Sequence, residues 1–272
     1  MSDMDTRPLA KAIRAHALRM VYLAGSSHIG SCLSIADLLA VLYGRILRLD
    51  PGNPNWAERD RFILSKGHAA AIYYAVLAER GFFPKTWLDN FGQDGAQLGG
   101  HVTSHGVPGV ELSTGALGHG LSVGCGMALA GKRENRPYRI FVILSDGELD
   151  EGSNWESILF APHHQLDNLV AIVDYNKIQS FGTVSEVLNL NSLNDKWQAF
   201  GWSVHEVDGH DHIGIAQILE NLPVRTGKPN VVIAHTIKGK GVSFMEDRLE
   251  WHYKSPDREQ LDLALSELGI EP

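Results

Sequence analysis

Two short polar clusters, each at the end of an apolar run, could hold a metal ion. The stretch IFVILSDGE places Asp146 directly after one run, and LVAIVDYNKI places Asn176 after the next run, 30 positions later. If the two runs are neighbouring strands, a carboxylate, an amide oxygen and backbone carbonyl groups converge at one point. Magnesium prefers such oxygen ligands, and phosphate oxygens commonly complete its coordination. The pattern favours a magnesium and phosphate site, although a helix-capping Asp and a turn Asn are common structural alternatives.

Two other stretches resemble nucleotide-binding motifs without matching them. GMALAGKR (126–133) has Arg133 where a phosphate-binding loop needs Ser or Thr, and it lies within a helical pattern. GALGHGLSVG (115–124) resembles a dinucleotide fingerprint, but its third glycine comes one place late and no apolar strand precedes it. Neither stretch predicts a nucleotide site.

Short apolar runs alternate with helical patterns along the chain. RFILS, RIFVILS, LVAIVDY and NVVIAHT are the runs, and the residues between several of them have helical spacing. Continuous apolar strands separated by helices predict an α/β fold with a doubly wound, mostly parallel sheet and helices on both faces. No linker or repeat divides the chain, so we expect residues 1–272 to form a single domain. Ligands of such sheets bind at the carboxyl ends of the strands, which are here SKGH, SDGE, DYNKI and HTIKGKG.

Composition narrows the class of protein. The chain has 272 residues, a net charge of −8 and no basic run, which argues against a nucleic-acid surface. No apolar segment approaches the roughly 20 residues that a membrane span needs, and the first 25 residues do not resemble a signal peptide. Cys32 and Cys125 are the two cysteines, and both have apolar neighbours. We expect them to be buried thiols in a cytoplasmic protein.

The opening motif resembles the cofactor motif of thiamine diphosphate-dependent enzymes. That motif usually begins GDG, whereas this chain has Ser145-Asp146-Gly147, followed by ELDEGSNWE and later by N-x-I. Further stretches occur in the order expected of transketolases: AGSSHIGSCLS, LSKGHAAAIYY, LGGH, GVELSTGALGHGLSVGCGMALA, HTIKGKGVSF and WHYK. The resemblance covers nearly the whole chain. It identifies the chain as the N-terminal, diphosphate-binding subunit of a split, two-chain transketolase.

The resemblance implies a thiamine diphosphate and Mg²⁺ site with named residues. Mg²⁺ would be held by Asp146, Asn176 and the backbone carbonyl of Ile178, and an all-oxygen ligand set also accepts Ca²⁺ or Mn²⁺. His68 and Gly147 would contact the diphosphate. The turn at Gly147 would also allow the diphosphate to approach backbone N–H groups.

Three more residues have implied cofactor or interface roles. Gly115 would meet the aminopyrimidine ring through its backbone, and Leu117 would pack beneath the cofactor. Glu151 would lie in a carboxylate network at a subunit interface. From its position alone, Glu151 would be interpreted as a first-turn glutamate that the helix dipole favours.

Histidines are the other candidate site residues. The chain has 13, and His28, His101 and His252 lie in family motifs that imply contact with the sugar substrate. Their imidazole groups suit proton transfer at neutral pH. The loop after His101 is one residue longer than the family pattern, so His105 is an alternative to His101. The remaining histidines that match no motif are expected at the surface: His163, His164, His205, His210 and His212.

The implied reaction moves a two-carbon ketol unit from a ketose phosphate to an aldose phosphate. In the family, a glutamate of the following domain contacts the pyrimidine ring of the cofactor. We expect this chain to lack the pyrimidine-binding and C-terminal domains and a second chain to supply them, in a heterotetramer with two copies of each chain. Two alternatives remain: the α subunit of a 2-oxo acid dehydrogenase, which shares the metal motif, and a non-catalytic thiamine diphosphate-binding module.

Overall fold

A five-stranded parallel sheet forms the centre of the structure, a computed structural model that describes residues 5–271. In space the strands follow the order β1-β2-β3-β5-β4, and every pairing is parallel. Their bounds are β1 Arg61–Leu64, β2 Ile140–Ser145, β3 Leu169–Tyr175, β4 Ser203–Asp208 and β5 Asn230–His235.

Helices precede, connect and follow the strands. The α-helices are α1 Arg7–Ala24, α2 Ile29–Ser34, α3 Ala36–Val41, α4 Ala70–Glu79, α5 Gly120–Arg133, α6 Gly152–His163, α7 Val184–Val187, α8 Leu193–Ala199, α9 His212–Glu220 and α10 Arg258–Glu267. Shorter turns of other helical types cover Leu42–Ile46, Gly67–Ala69, Lys85–Asn90, Gly147–Asp150 and Leu249–His252. The near-match GMALAGKR lies within α5, as the helical pattern predicts.

The connections place helices on both faces of the sheet. From β1 to β4 the chain moves across the sheet in one direction, and α5, α6 and α8 pack with one set of core residues. From β4 to β5 it moves back by one place, and α9 packs with the other set. Right-handed crossovers produce this switch of face when the direction reverses. The predicted doubly wound parallel sheet is confirmed.

Burial on both faces explains the continuous apolar runs. Along β2, all six residues are buried. Ile140, Val142 and Leu144 pack with α5 and α6, whereas Phe141 and Ile143 pack with the helices of the opposite face. A strand covered on both sides has no position for a polar side chain until it ends. For this reason polar residues first appear at the strand tips.

One strand is missing from the sequence prediction. β4 reads SVHEVD, lies at the edge of the sheet, and is only partly buried along its length. β1, at the opposite edge, is almost fully buried, whereas the faces of β4 are less completely covered and can carry polar residues. β4 therefore lacks the continuous apolar run that marks the other four strands.

Two histidines expected at the surface are in fact only 12% and 10% exposed and lie beside a carboxylate. His210 Nδ1 lies 2.7 Å from one oxygen of Asp37, and His212 Nε2 lies 3.0 Å from the other. Arg14 donates to both oxygens, at 2.9 and 2.6 Å. Burial acts to raise the pKa of Asp37, but the hydrogen bonds from His210, His212 and Arg14 hold it well below its ordinary value. We call these four residues the Asp37 cluster.

His205 is also less exposed than expected, because it is half-buried on β4 and its Nε2 atom is enclosed. Its burial lowers its pKa. His163 is exposed as expected, and His164 is partly exposed. Both cysteines are buried, which raises the pKa of Cys32 to about 11 and that of Cys125 to about 12. Across residues 5–271, none of the helices combines the length and apolar character required to cross a bilayer.

Candidate functional site

A cavity of about 490 Å³ lies where β2 ends. All the predicted site residues except Asn176 and Ile178 line it. Its walls are His28, Ser31, His68, His101, Gly115, Leu117, Ser145, Asp146, Gly147, Asp150, Glu151, Gln179, Ser180, Phe181, Val187, His252 and Tyr253. Positions more than 200 residues apart in the chain therefore meet at this end of the sheet.

The side chain of Asp146 is buried at the tip of β2 and points towards the tip of β3. One carboxylate oxygen accepts a hydrogen bond from the N–H of Gly147 at 2.7 Å. The other accepts from the N–H of Lys177 at 2.6 Å, the residue that follows Asn176. The two strands are neighbours, with Ser145 paired to Asp174. The predicted meeting of the two strand ends is confirmed.

Oxygen atoms of Asn176 and Ile178 complete the candidate ligand set. Asn176 Oδ1 accepts from the N–H of Ile178 at 3.1 Å, which folds the chain back on itself after β3. The backbone oxygen of Ile178 accepts from Lys238 Nζ at 2.8 Å. The left-handed backbone of Lys177, with φ of 68°, makes this sharp turn.

The oxygen atoms of Asp146, Asn176 and Ile178 are of the kind that a hard divalent cation prefers. Within residues 5–271, no group of three or more His, Cys, Asp and Glu side chains could hold a metal ion. The predicted site instead combines one carboxylate with amide and carbonyl oxygens, which Mg²⁺ accepts. Burial, followed by the charge of Asp174, raises the pKa of Asp146 to about 6. A bound cation would stabilise the ionised form of this buried carboxylate.

Buried charges lie directly beneath the site. Lys66 Nζ is 2.5 Å from Asp174 Oδ2, and both side chains have no exposed surface. Asp174 also accepts from Ser34 Oγ at 2.7 Å, from Asn176 Nδ2 at 3.1 Å and from the hydroxyl of Thr236. Burial acts to raise the pKa of Asp174, but Lys66 holds it below its ordinary value. Asp174 thus orients the amide of Asn176.

Lys238 is a second buried lysine at the site. Its ammonium group donates to the backbone oxygen of Ile178 and lies 3.0 Å from His252 Nδ1. Burial and the charge of Lys66 lower the pKa of Lys238 to about 8. Two lysines and two aspartates therefore surround the strand tips, an arrangement suited to a diphosphate with its cation.

Four histidines cluster on one wall of the cavity. The ring centroid of His28 lies 5.1 Å from that of His68, 6.0 Å from that of His101 and 5.0 Å from that of His252. The N–H of His28 donates to the backbone oxygen of His252 at 2.9 Å, which joins two segments far apart in sequence. His28 has a left-handed backbone, with φ of 74°, immediately before α2.

The environment keeps most of these imidazoles neutral. Burial, with the charge of His101, lowers the pKa of His28 to about 4. Burial, with the charge of Lys238, lowers the pKa of His252 to about 3. Burial and Lys66 also place the pKa of His68 well below its usual value. Neutral imidazoles can donate at one nitrogen and accept at the other, as substrate hydroxyls require.

The structure places His101, and not His105, in the cavity wall. Tyr74 holds the backbone here, donating to the oxygen of His101 at 3.0 Å and accepting from the N–H of Thr103 at 2.8 Å. Gly115 packs against this ring, and a Cβ atom there would lie 2.9 Å from His101 Cδ2. Because Gly115 also has φ of 147°, only glycine suits the position without strain.

A buried glutamate, Glu148, ties three loops of the site together. It accepts from Gly118 N at 3.0 Å, from Ser145 N at 3.3 Å and from the hydroxyl of Ser65. Ser145 Oγ in turn accepts from Glu148 N at 3.2 Å. Serine in place of the family's usual glycine therefore stabilises the turn instead of disturbing it. Burial raises the pKa of Glu148.

Sequence reasoning did not single out Lys66, Lys238, Asp174 or Glu148. Lys66 and Lys238 lie in the strand-tip stretches SKGH and HTIKGKG, and Asp174 begins DYNKI. The available signal was the presence of opposite charges at the ends of apolar strands, where side chains have little contact with water. Glu148 gave no signal, because a glutamate after a strand is ordinarily exposed.

Comparison with known families identifies the fold and its cofactor class. A family model described as "Transketolase, thiamine diphosphate binding domain" matches residues 5–272. The chain belongs to the transketolase family. The family predicted from the ordered motifs is thus confirmed, and the alternative of a 2-oxo acid dehydrogenase subunit is not retained.

Relatives of the same length are transketolase subunits. The chain is 46% identical over 266 residues to one subunit of the apulose-4-phosphate transketolase of Actinobacillus succinogenes, with 96% of this chain and 95% of the relative covered. It is 42% identical over 269 residues to "6-deoxy-6-sulfo-D-fructose transketolase subunit SqwG" of Clostridium sp. strain MSTE9, with 99% and 98% covered. Together with the family match, these relatives confirm the prediction of an N-terminal transketolase subunit.

Solved transketolases have the same fold in a longer chain. The transketolase of Leishmania mexicana matches with a TM-score of 0.93 at 30% identity, and that of Campylobacter jejuni with 0.93 at 32% identity. Each match covers 99% of this chain but only 42% and 44%, respectively, of the solved chain. This chain therefore spans less than half the length of those transketolases.

Proposed function

We propose that this chain binds thiamine diphosphate with Mg²⁺ and, with a partner chain, transfers a two-carbon ketol unit between sugar phosphates. One observation carries the proposal: the histidines of four separate motifs and the Asp146 turn line the same cavity. In a transketolase-family chain, this combines a diphosphate site with groups suited to substrate hydroxyls.

The metal would be held by Asp146, Asn176 and the carbonyl of Ile178. Lys238 contacts the Ile178 carbonyl, and Lys66 lies in the layer beneath. The remaining coordination positions would be filled by diphosphate oxygens and water. His68 and Gly147 would contact the diphosphate, since both line the cavity next to Asp146.

The rest of the cofactor would lie along the 115–118 loop and the wall near Glu151. Gly115 would meet the aminopyrimidine through its backbone, and Leu117 would support the ring from below. When bound, thiamine diphosphate supplies the carbon nucleophile that takes up the two-carbon unit. Glu151 is exposed at the cavity rim and would face the partner chain.

Three histidines would exchange protons with the substrate hydroxyls. Lys238 donates towards His252 Nδ1, so the hydrogen of this neutral ring is at Nε2, where it can donate to a substrate oxygen. His28 lies beside it and is neutral above pH 4 to 5. His101 forms the opposite edge of the cluster. Together they would orient substrate hydroxyls and exchange protons with them.

A partner chain would supply the pyrimidine-binding half and the glutamate that activates the cofactor. The names of the two relatives, each one subunit of a transketolase, and the length of the solved transketolases support this division. We propose residues 1–272 as the diphosphate-binding domain of a heterotetramer with two copies of each chain. The relatives' names, which mention apulose 4-phosphate and a sulfonated deoxyfructose, suggest ketoses beyond the common sugar phosphates as donors.

Ketol transfer measured with and without the partner tests this function. The chain, a candidate partner and their mixture are assayed with Mg²⁺ and thiamine diphosphate. Xylulose 5-phosphate and the two ketoses above serve as donors, and ribose 5-phosphate serves as the acceptor. Activity in the mixture alone is the expected result. Full activity of the isolated chain would contradict the need for a partner, and cofactor binding without turnover on any donor would favour the non-catalytic module.

A further inference from the structure

The Asp37 cluster holds the loop that follows β5 at two points. His210 Nε2 accepts a hydrogen bond from the N–H of Ile237 at 2.9 Å. Arg14 Nε donates to the backbone oxygen of Lys240 at 3.0 Å. Both His210 and Arg14 are also bonded to Asp37, so one carboxylate fixes the groups that bind both ends of the segment 237–240.

The residue between those two points is Lys238. Its ammonium group contacts the backbone oxygen of Ile178 and the ring of His252. The next residue, Gly239, donates its N–H to the oxygen of Gly30 at 3.0 Å. A shift of this segment would therefore displace Lys238 from both a proposed metal ligand and a proposed substrate-facing histidine.

Asp37 also fixes the tautomer of the His210 ring. A carboxylate can only accept, so the hydrogen of the ring is on Nδ1, which faces Asp37. Nε2 is then free to accept from Ile237. In metal-binding histidines, likewise, the hydrogen bond at one ring nitrogen fixes the tautomer and leaves the other nitrogen free to bind the metal. In His210 the bond from Nδ1 to Asp37 leaves Nε2 free to accept from the N–H of Ile237.

We propose that Asp37 and His210 are positioning residues, which fix the segment 237–240 so that Lys238 can organise the cofactor and substrate sites. The proposal rests on the proposed function, because it assigns a purpose to Lys238 in that site. Neither Asp37 nor His210 lines the cavity, so both act through the loop.

His212 provides a matched control within the same cluster. Its Nε2 bonds to the same carboxylate, and its side chain is about as buried as that of His210. Its other ring nitrogen lies 2.6 Å from the hydroxyl of Thr6, next to the start of α1, instead of contacting the loop. Removing either ring takes one hydrogen bond from Asp37 and leaves it held by Arg14 and the other histidine, but only removal of His210 also releases Ile237.

Amide hydrogen exchange of the cofactor-free chain is the first test. Loss of one hydrogen bond predicts that the Ile237 amide exchanges about tenfold faster in His210→Ala than in wild type. In His212→Ala this rate should match wild type, even if both variants have a similarly lowered Tm. Equal exchange rates in the two variants would overturn the proposal.

Kinetics of the chain with its partner are the second test. His210→Ala should lower kcat/KM and weaken thiamine diphosphate binding, each about tenfold, whereas His212→Ala should change neither. His210→Gln should recover part of the loss, because its amide oxygen can accept from Ile237. If His210→Ala fails to fold, His210→Asn replaces it, since Asn retains the bond towards Asp37 and lacks the one to Ile237. A wild-type mixture without ketol transfer would contradict the proposed function, while the exchange experiment would still decide the positioning role.

Discussion

The ammonium group of Lys66 lies 2.5 Å from a carboxylate oxygen of Asp174, and neither side chain reaches solvent. Asp174 in turn accepts from the amide of Asn176, one of the proposed metal ligands. A buried charge is unfavourable unless it is paired and hydrogen-bonded. This pair therefore supports the strand tips at which a diphosphate and its cation would bind. Breaking it should affect both the stability of the fold and the geometry of the site.

Removing the lysine of this pair should destabilise the chain strongly. Lys66→Met leaves Asp174 buried without its cation, and the free energy of unfolding should fall by about 3–5 kcal/mol. Urea denaturation measures the change. Arg258→Ala, which breaks an exposed pair with Asp262, is the control and should have no measurable effect. A Lys66→Met chain as stable as wild type would show that the pair does not support the fold.

Acid should destabilise the fold partly through His28. Its folded pKa of about 4 lies below the ordinary value of 6.5, so the unfolded chain binds the proton more readily. The contribution to stability is complete above pH 6.5 and is lost as the pH falls towards 4. Because His28 is partly exposed, the free energy of unfolding should fall by about 1–2 kcal/mol.

Denaturant unfolding at pH 7 and at pH 4.5 checks this pH dependence. The variant His28→Gln should lose less stability than wild type between the two values. The exposed His163→Gln should behave as wild type does. An identical pH dependence in wild type and His28→Gln would argue against a buried neutral imidazole at this position.

His101 and His105 should differ sharply in kinetic effect. His101 lines the cavity beside Gly115, whereas His105 is exposed outside it. We expect His101→Ala to reduce kcat/KM of the two-chain enzyme by about 100-fold or more, as removal of a proton-transfer group does. His105→Ala should remain within about twofold of wild type, as is usual for exposed substitutions. A larger loss in His105→Ala would reverse the assignment.

Glu148 should control the loop that would support the cofactor. Glu148→Ala leaves the N–H of Gly118 and the hydroxyl of Ser65 without their shared acceptor, which should cost about 1–3 kcal/mol in unfolding free energy. The same variant should raise the KM for thiamine diphosphate. Glu148→Gln retains one acceptor oxygen and should show smaller changes in both. The exposed Glu156→Ala on α6 is the control, and equal effects in both alanine variants would exclude a specific role for Glu148.

The parts of the fold readable from the sequence are those with strong local patterns. Strands β1, β2, β3 and β5 are continuous apolar runs because helices cover both sides, and their polar ends mark the site. The convergence of Asp146 with the turn after Asn176 followed from one assumption, that the two strands are neighbours. Strand β4 was not readable, because it is only partly buried and has no continuous apolar run.

Contacts between segments that are distant in the chain could not be predicted from local sequence patterns. His210 and His212 have no apolar setting in the sequence, and only the packing of α1, α3 and α9 brings Asp37 to them. The pairing of Lys66 with Asp174, 108 positions later, has the same origin. His105 remained an alternative to His101 because loop length does not reveal which ring faces the cavity.

The ionisation of Asp146 should make Mg²⁺-dependent cofactor binding sensitive to pH. A ligand carboxylate must be ionised, and its cofactor-free pKa is raised to about 6, by burial first and then by Asp174. Mg²⁺-dependent cofactor binding should therefore weaken as the pH falls below 6, because the proton competes with the metal. Affinity measured between pH 5 and pH 7.5 checks the direction, and affinity that is constant over this range would contradict it.

The most direct test is a calorimetric titration of the chain with thiamine diphosphate at concentrations up to the millimolar range. Wild type should bind in the presence of Mg²⁺ and lose binding when EDTA removes the metal. Asp146→Asn should bind about 100-fold more weakly, while Asp150→Asn, which lines the same cavity without being a proposed ligand, should resemble wild type. Equal affinity in wild type and Asp146→Asn, or binding that survives EDTA, would contradict the account.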